Sequence, residues 1–539
     1  VLQAAVALVL LIACANVASL LLARAAARQK EMALRASLGA GRPRLLRQLL
    51  TESLTLALVG GGLGIVLAWF ALAGAPVVFP GEEWAREVRL DGTVLAWVSG
   101  LSLLCGVFFG VVPSLAASRV DLATAVKTGG SRSAARSALR VRSAFIAGEV
   151  ALAVVLTVGA GLLVRTLWGL TSADPGFRPE STVTVGVHPN ASDCAARAQC
   201  VALYDDLLQR ARQEPGVAEV ALASAAPLAA EQPLLPMELE GHPLDPADPQ
   251  AALLWSGAVT PSYFRLLRIP ILRGRGFQET DGAGAAPVVI VSAETARRYW
   301  PGQDPIGKTV RVVWDEHWRT VVGVAGEVRQ YALSGRAPEG IAGALYMPYA
   351  QAVALDRRLP RTMTLLVRAS APAREVAPRL RPLIARVNPD VPVSDVRTLE
   401  ALVDASVSKP RALMWTFAAF SACALLLAAI GTYGIVSFQV SQRTYEIGVR
   451  LAIGASRRHV FGLVIGHGVR LVVVGLAIGL GAAMLLGRVL STFLYGVTAT
   501  DPLTFAAVSL LLLAAAFVAA WGPGRRAART DLVRALRAD

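Results

Sequence analysis

Charge is scarce in this chain. Asp, Glu, Lys and Arg make up 17% of its 539 residues, while 54% are hydrophobic and the mean hydropathy is +0.52. A soluble enzyme of this length carries roughly a quarter of its residues charged, so the composition excludes one and indicates a membrane protein. Histidine is scarcer still: His188, His242, His317, His459 and His467 are scattered without metal-ligand spacing. No nucleophile elbow or other hydrolase signature accompanies them. The expectation is a chain that is not an enzyme, with no catalytic, cofactor-binding or metal residues of its own.

What is abundant is the long apolar run. About 20 apolar residues suffice for a helix to cross the hydrocarbon core, and about seven such runs centre on 2–22, 50–78, 93–117, 144–168, 412–438, 460–487 and 503–521. Between the fourth and fifth lies a polar stretch the size of a domain, 170–409. Val1 already sits inside an apolar run, with no Met or charged flank before it. The expectation is therefore a chain that begins mid-protein and shows no signal peptide of its own.

The net charge of +15 raises the possibility of nucleic acid, and its placement decides against it. Of 53 Lys and Arg, 22 fall in the short segments 23–48, 118–143, 439–459 and 522–539, against five acidic residues there. Basic loops of this kind stay in the cytoplasm. The loop EEWAREVRLD at 82–91 is slightly acidic and the 170–409 stretch is close to neutral, so both belong outside. A nucleic-acid binder needs a basic folded face with interleaved aromatics, and no such face is legible. Lipid is the expected surroundings and nucleic acid is not an expected partner.

The chain repeats itself. RQKEMALRASLGA at 28–40 aligns without gaps on RTYEIGVRLAIGA at 443–455, a constant offset of 415, matching Arg28, Glu31, Arg35 and Gly39 with Arg443, Glu446, Arg450 and Gly454. The same offset carries Gly60 and Gly64 onto Gly475 and Gly479. Further on, PSLAASRVDLATAVK (113–127) matches PGRRAARTDLVRALR (523–537). The organisation is a duplication: a three-span module over 1–127, a basic linker and outward span over 128–169, an external domain over 170–409, and the module again over 410–539.

This organisation resembles the FtsX-like, MacB-type permeases of ABC transporter systems. The likeness rests on the basic, Glu-containing loop ending in LGA or IGA, and on the Pro-then-Arg-Asp-Leu tail after the last span of each module. It is most similar to the duplicated "orphan" permeases, departing from them in lacking a first span and first external domain before Val1. The resemblance implies a polytopic α-helical membrane protein with one large α+β extracytoplasmic domain, placed in a bacterial inner membrane with that domain in the periplasm. It also implies that ATP is bound by a separate cytoplasmic ATPase subunit.

The repeated loop has a physical reading of its own. Arg28, Glu31 and Arg35 are spaced three and four apart, so on a helix they share a face and can pair, and Gly39 supplies a stop. Arg443, Glu446, Arg450 and Gly454 repeat that grammar in the segment 439–459, as the first set does in 23–48. The resemblance implies that these are coupling helices docking on the ATPase; a solvated basic loop is the plainer alternative.

Within the spans, the pairs Gly60–Gly64 and Gly475–Gly479 are spaced for close helix packing. Glu52, Glu149 and His467 are ionisable groups near the cytoplasmic ends of spans, placed to anchor at headgroups or pair with a neighbour. The polar stretch alternates strand-like runs, such as 181–187, 286–292, 309–314, 319–328 and 362–369, with helical ones at 200–213 and 375–387. Cys14, Cys105 and Cys423 lie in spans as apolar packing. Cys194 and Cys200 in DCAARAQC are external, where an oxidising compartment permits a local disulfide, with two free thiols or a thiol redox device as alternatives.

GQDPIGKT at 302–309 matches the phosphate-binding loop pattern. A phosphate loop follows a strand and opens a helix, whereas here a helix-like SAETARRYW precedes and a strand-like KTVRVVW follows. The segment reads as an external Pro/Gly turn. The expected function is transmission of ATPase motion to the periplasmic domain for export of an antibiotic, peptide or lipoprotein, with a periplasmic adaptor or outer-membrane partner as a further candidate partner. The alternative is mechanotransmission without transport, regulating a cell-envelope hydrolase.

Overall fold

A computed structural model describes residues 2–27, 42–78, 88–118, 131–190, 192–194, 196–229, 233–242, 253–313, 315, 317–334, 341–352, 362–394, 396–442, 444–453, 456–490 and 494–528. It has two compact units, Val1–Leu167 with Pro410–Asp539, and Trp168–Lys409. The first begins with α1 (Leu2–Ala27), α2 (Arg42–Val78), α3 (Gly92–Ser118) and α4 (Ser131–Thr171). Small residues let α2 and α3 approach closely: a Cβ on Gly61 would come within 2.8 Å of Ser102 Oγ, and one on Gly106 within 2.8 Å of Ala57 Cβ. Asp91 caps α3, its carboxylate accepting from Val94 N at 2.8 Å.

The second unit is mixed α+β, with α5 (Arg197–Gln213), α6 (Ala293–Tyr299), α7 (Ala373–Val387) and α8 (Leu399–Ser406). Its strands are β1 (Thr182–Val187), β2 (Val217–Ala223), β3 (Leu234–Leu239), β4 (Leu253–Val259), β5 (Ile271–Gly274), β6 (Val288–Ser292), β7 (Thr309–Val312), β8 (Arg319–Ala325), β9 (Ile341–Pro348), β10 (Met363–Ala369) and β11 (Arg397–Thr398). They form one hydrogen-bonded network in the order β11-β1-β10-β2-β4-β3-β7-β8-β6-β9, with β5 on β8. Because β9 also pairs with β4, the run from β4 to β9 closes on itself.

An open sheet of β11, β1, β10 and β2 thus meets a closed ring of strands, and β2 and β4 share a single register pair, Ala223 with Val259. Side chains reinforce that seam. Thr260 Oγ1 accepts from Leu222 N at 3.0 Å, and Ser224 Oγ from Ala258 N at 3.1 Å. Valines of β1, β6 and β10 fill the core alongside Leu380 and Ile384 of α7, while Trp255, Tyr263 and Tyr346 are fully buried and meet edge-on or tilted.

The chain returns to the first unit as α9 (Ser408–Gln442), α10 (Thr444–Ala452), α11 (Arg457–Leu490) and α12 (Pro502–Ala528). Among the described residues six helices are long and apolar enough to span a bilayer: α1, α2, α4, α9, α11 and α12. The seventh expected run is helical as α3, with Gly92–Leu104 as its described apolar stretch. Among the six, α4 is the most enclosed, with 67% of its apolar window buried against none of that in α2.

Candidate functional site

The second of the two segments expected to couple, 439–459, contains α10, a nine-residue helix. Glu446 and Arg450 lie four apart and pair on its outer side, each about half exposed, while Ile447 is buried beneath. A helix with a buried apolar edge and an exposed ion pair can present a charged face to a partner. Arg443 and Gly454 lie outside the described residues, as do Arg28, Glu31, Arg35 and Gly39 of the first segment.

The most elaborate chemistry of the unit surrounds α4. On one side Gly475 and Gly479 of α11 press against it: a Cβ on Gly475 would lie 2.6 Å from Ala147 O, and one on Gly479 2.6 Å from Val154 Cβ. A Cβ on Gly161 would likewise lie 2.7 Å from Thr504 of α12. Gly60 and Gly64 of α2 behave otherwise, since among the described residues a Cβ there would meet nothing within 4 Å. The expectation of close packing at those two is therefore corrected: the spacing permits a close neighbour, but α3 approaches α2 through Gly61 and Ala57 instead.

Polar ties mark both ends of the apolar stretch of α4, Ser143–Thr171. Near its outer end Arg165 forms an ion pair with Asp501, whose carboxylate also caps α12 by accepting from Thr504 N at 2.8 Å. Hydrogen bonding from Arg165, with further bonds from Thr504, holds the Asp501 carboxyl down at about 2. Thr166 Oγ1 accepts from Tyr495 N at 3.4 Å. Midway, Ser421 of α9 donates to Thr157 at 2.9 Å.

Toward the other end Glu149, 2% exposed, accepts from Asn16 Nδ2 of α1, which also donates to Leu427 O of α9 at 3.0 Å. The Glu149 carboxyl turns to Asn16 rather than to headgroups or a neighbouring Arg. Glu52 is half-buried, and the His467 side chain lies outside the described residues. Asn16 went unnoticed in the sequence, because a lone Asn in an apolar run has no local partner to signal its role.

In the external unit the phosphate-loop look-alike has the inverted order expected: α6 precedes it and β7 follows. Its two glycines take positive φ, +73° at Gly302 and +84° at Gly307. The Lys and Thr that would serve a nucleotide are engaged by Glu240, which accepts from Lys308 Nζ at 3.1 Å and from Thr309 N at 2.9 Å. Lys308 first, then Thr309, holds the Glu240 carboxyl below its ordinary range. Cys194 and Cys200 are joined in a disulfide, six residues apart at the start of α5. Among the described residues no three His, Cys, Asp or Glu gather as a metal site.

Two related helical modules enclosing an outward helix, with an α+β domain between them, define a polytopic permease-type membrane protein. The FtsX-like permease C-terminal family model matches twice, at 4–122 and 418–532, and the MacB-like periplasmic core domain model matches 146–383. The chain belongs to the FtsX-like, MacB-type permeases of ABC systems.

Relatives include the probable syringafactin export ATP-binding/permease protein SyfD of Pseudomonas syringae pv. tomato, 26% identical over 52% of this chain and 42% of that protein. The pyoverdine export ATP-binding/permease protein PvdT of Pseudomonas syringae pv. syringae is 27% identical over 50% and 40% respectively. The chain thus spans about two-fifths of the length of these relatives. The crystal structure of the periplasmic region of MacB from Actinobacillus actinomycetemcomitans aligns at 14% identity over 43% of this chain and 94% of that one, with a TM-score of 0.29.

Proposed function

We propose that this chain is the membrane subunit of an ABC-type export system in a bacterial inner membrane, passing the motion of a separate cytoplasmic ATPase to the external domain. The observation that carries this reading is the double grip on α4. This helix leads the chain outward into the external domain, and it is held by Asn16 of the first module as well as by Gly475, Gly479 and Asp501 of the second. A displacement of either module would load the same helix. The names of SyfD and PvdT pair ATP binding with export, which supports export as the purpose of that motion.

In this reading ATPase subunits dock on α10 and on the segment 23–48, guided by the charged faces of Glu446 and Arg450 and of their repeat counterparts. Glu31→Lys combined with Glu446→Lys is expected to cut co-purification of the cognate ATPase at least about tenfold while membrane insertion stays intact. Undiminished co-purification would remove the docking assignment. Pull-down on the full chain separates purposes: an adaptor or outer-membrane tunnel supports export of an antibiotic, peptide or lipoprotein, and a cell-wall hydrolase supports regulation instead.

A further inference from the structure

The 415-residue offset that superposes the repeats places Asn16 on Gly431 and Ser19 on Gly434. In space these equivalents come together. Asn16 and Ser19 of α1, with Gly431 and Gly434 of α9, line one small cavity. A Cβ on Gly431 would lie 2.6 Å from Glu149 Oε2 and 2.8 Å from Asn16 Oδ1, so the bare backbone there is what admits the carboxyl and the carboxamide. Asn16 Nδ2 spans the crossing, donating to Glu149 on α4 and at 3.0 Å to Leu427 O, one turn from Gly431. The Ser19 hydroxyl donates to Asn16 O at 2.9 Å. Glu149, Asn16 and Ser19 are 2%, 5% and 7% exposed.

We propose that these residues form a keyed crossing by which the first module recognises the second. At the contact one helix carries Asn16 and the other carries glycine at the equivalent position, so the surfaces there are complementary rather than alike; Ser19 bonds back to its own helix, and a Cβ on Gly434 would meet nothing within 4 Å among the described residues. Two identical helices could not make this contact: Asn at both positions would collide with Glu149, and Gly at both would leave a buried carboxyl without its donor. The contact is thus directional, with Glu149 as the group both sides must fit. The first module's partner is the second module of this chain, not another first module. This holds whether or not the chain takes part in export.

The test uses the full-length chain with a protease site inserted at 119–130 and a C-terminal affinity tag. The protein is purified intact in detergent, cut, and the first-module fragment remaining on the resin is measured. Wild type is expected to keep its fragment. Asn16→Leu and Glu149→Leu should each lower retention at least about fivefold, whereas Glu149→Gln, which still accepts from Asn16, should stay within about twofold of wild type.

The decisive variant exchanges key and keyhole. Gly431→Asn alone should fail to retain the fragment or fail to accumulate, and Asn16→Gly with Gly431→Asn should recover at least half of the wild-type signal. Retention by the Leu variants equal to wild type, or an exchange variant no better than Gly431→Asn alone in retention and in accumulation, would overturn the proposal.

Discussion

In the second module Gly475 and Gly479 lie in contact with α4, whereas Gly60 and Gly64, their equivalents in the first, open onto space with nothing described within 4 Å. A second pair of positions behaves in the same way. Asp501 caps α12 and holds Arg165 of α4; Asp91 caps α3 through the same carboxylate-to-amide bond but has no ion pair among the described residues. The repeats share their helices, caps and glycine spacing and differ in what meets them: α4 packs on the glycine pair and pairs with the capping Asp of the second module, and among the described residues it does neither in the first. A repeated motif therefore encodes permission for a contact, and the neighbour decides whether the contact is made.

That contrast can be broken most directly at the glycines. Gly475→Val with Gly479→Val forces side chains into Ala147 O and Val154, and overpacking of this kind costs about 1–3 kcal/mol per site. Gly60→Val with Gly64→Val is expected to change stability by less than about 0.5 kcal/mol. Size-exclusion chromatography after graded heating in detergent should show the first pair collapsing and the second tracking wild type. Equal losses would mean that the first module's glycines are packed after all.

The caps offer a middle-sized effect. Asp91→Ala removes a cap worth about 1 kcal/mol. Asp501→Ala removes the equivalent cap and also strands Arg165, so its melting temperature should fall further. If the two drops match, the ion pair contributes nothing.

Acidity gives the smallest effect. The folded Asp501 carboxyl sits at about 2, below its ordinary 3.8, so its contribution is fully present above the ordinary value and is lost as pH falls through the folded one. From about pH 8 to 5 the difference in melting temperature between wild type and Asp501→Asn should be constant. A slope there would show that another group controls the joint.

Much of this molecule was legible before its structure. Hydropathy located the spans, because crossing hydrocarbon is a demand each segment meets alone. Alternating or β-branched runs found β1, β6, β7, β8 and β10; β7 is buried at every second residue, whereas β6 is buried throughout and β1 at all but one position. Pairings between distant segments stayed hidden. Glu149 and Asn16 are 133 residues apart, and neither signals the other through local pattern. The closure of β4 on β9 is of the same kind: a parallel pairing leaves no hairpin turn to read. The glycine pairs were legible as surfaces and illegible as contacts, since both copies carry the spacing and only one is filled. Of the residues expected to couple, Glu446 and Arg450 pair as their spacing of four suggests, which leaves their role in docking untouched.

Glu240 gives the phosphate-loop look-alike a last meaning. Its carboxylate is tethered beside Lys308 and Thr309, so any dissolved anion must compete with an internal one whose effective concentration is on the order of millimolar or higher. The turn is a lock already holding its own key.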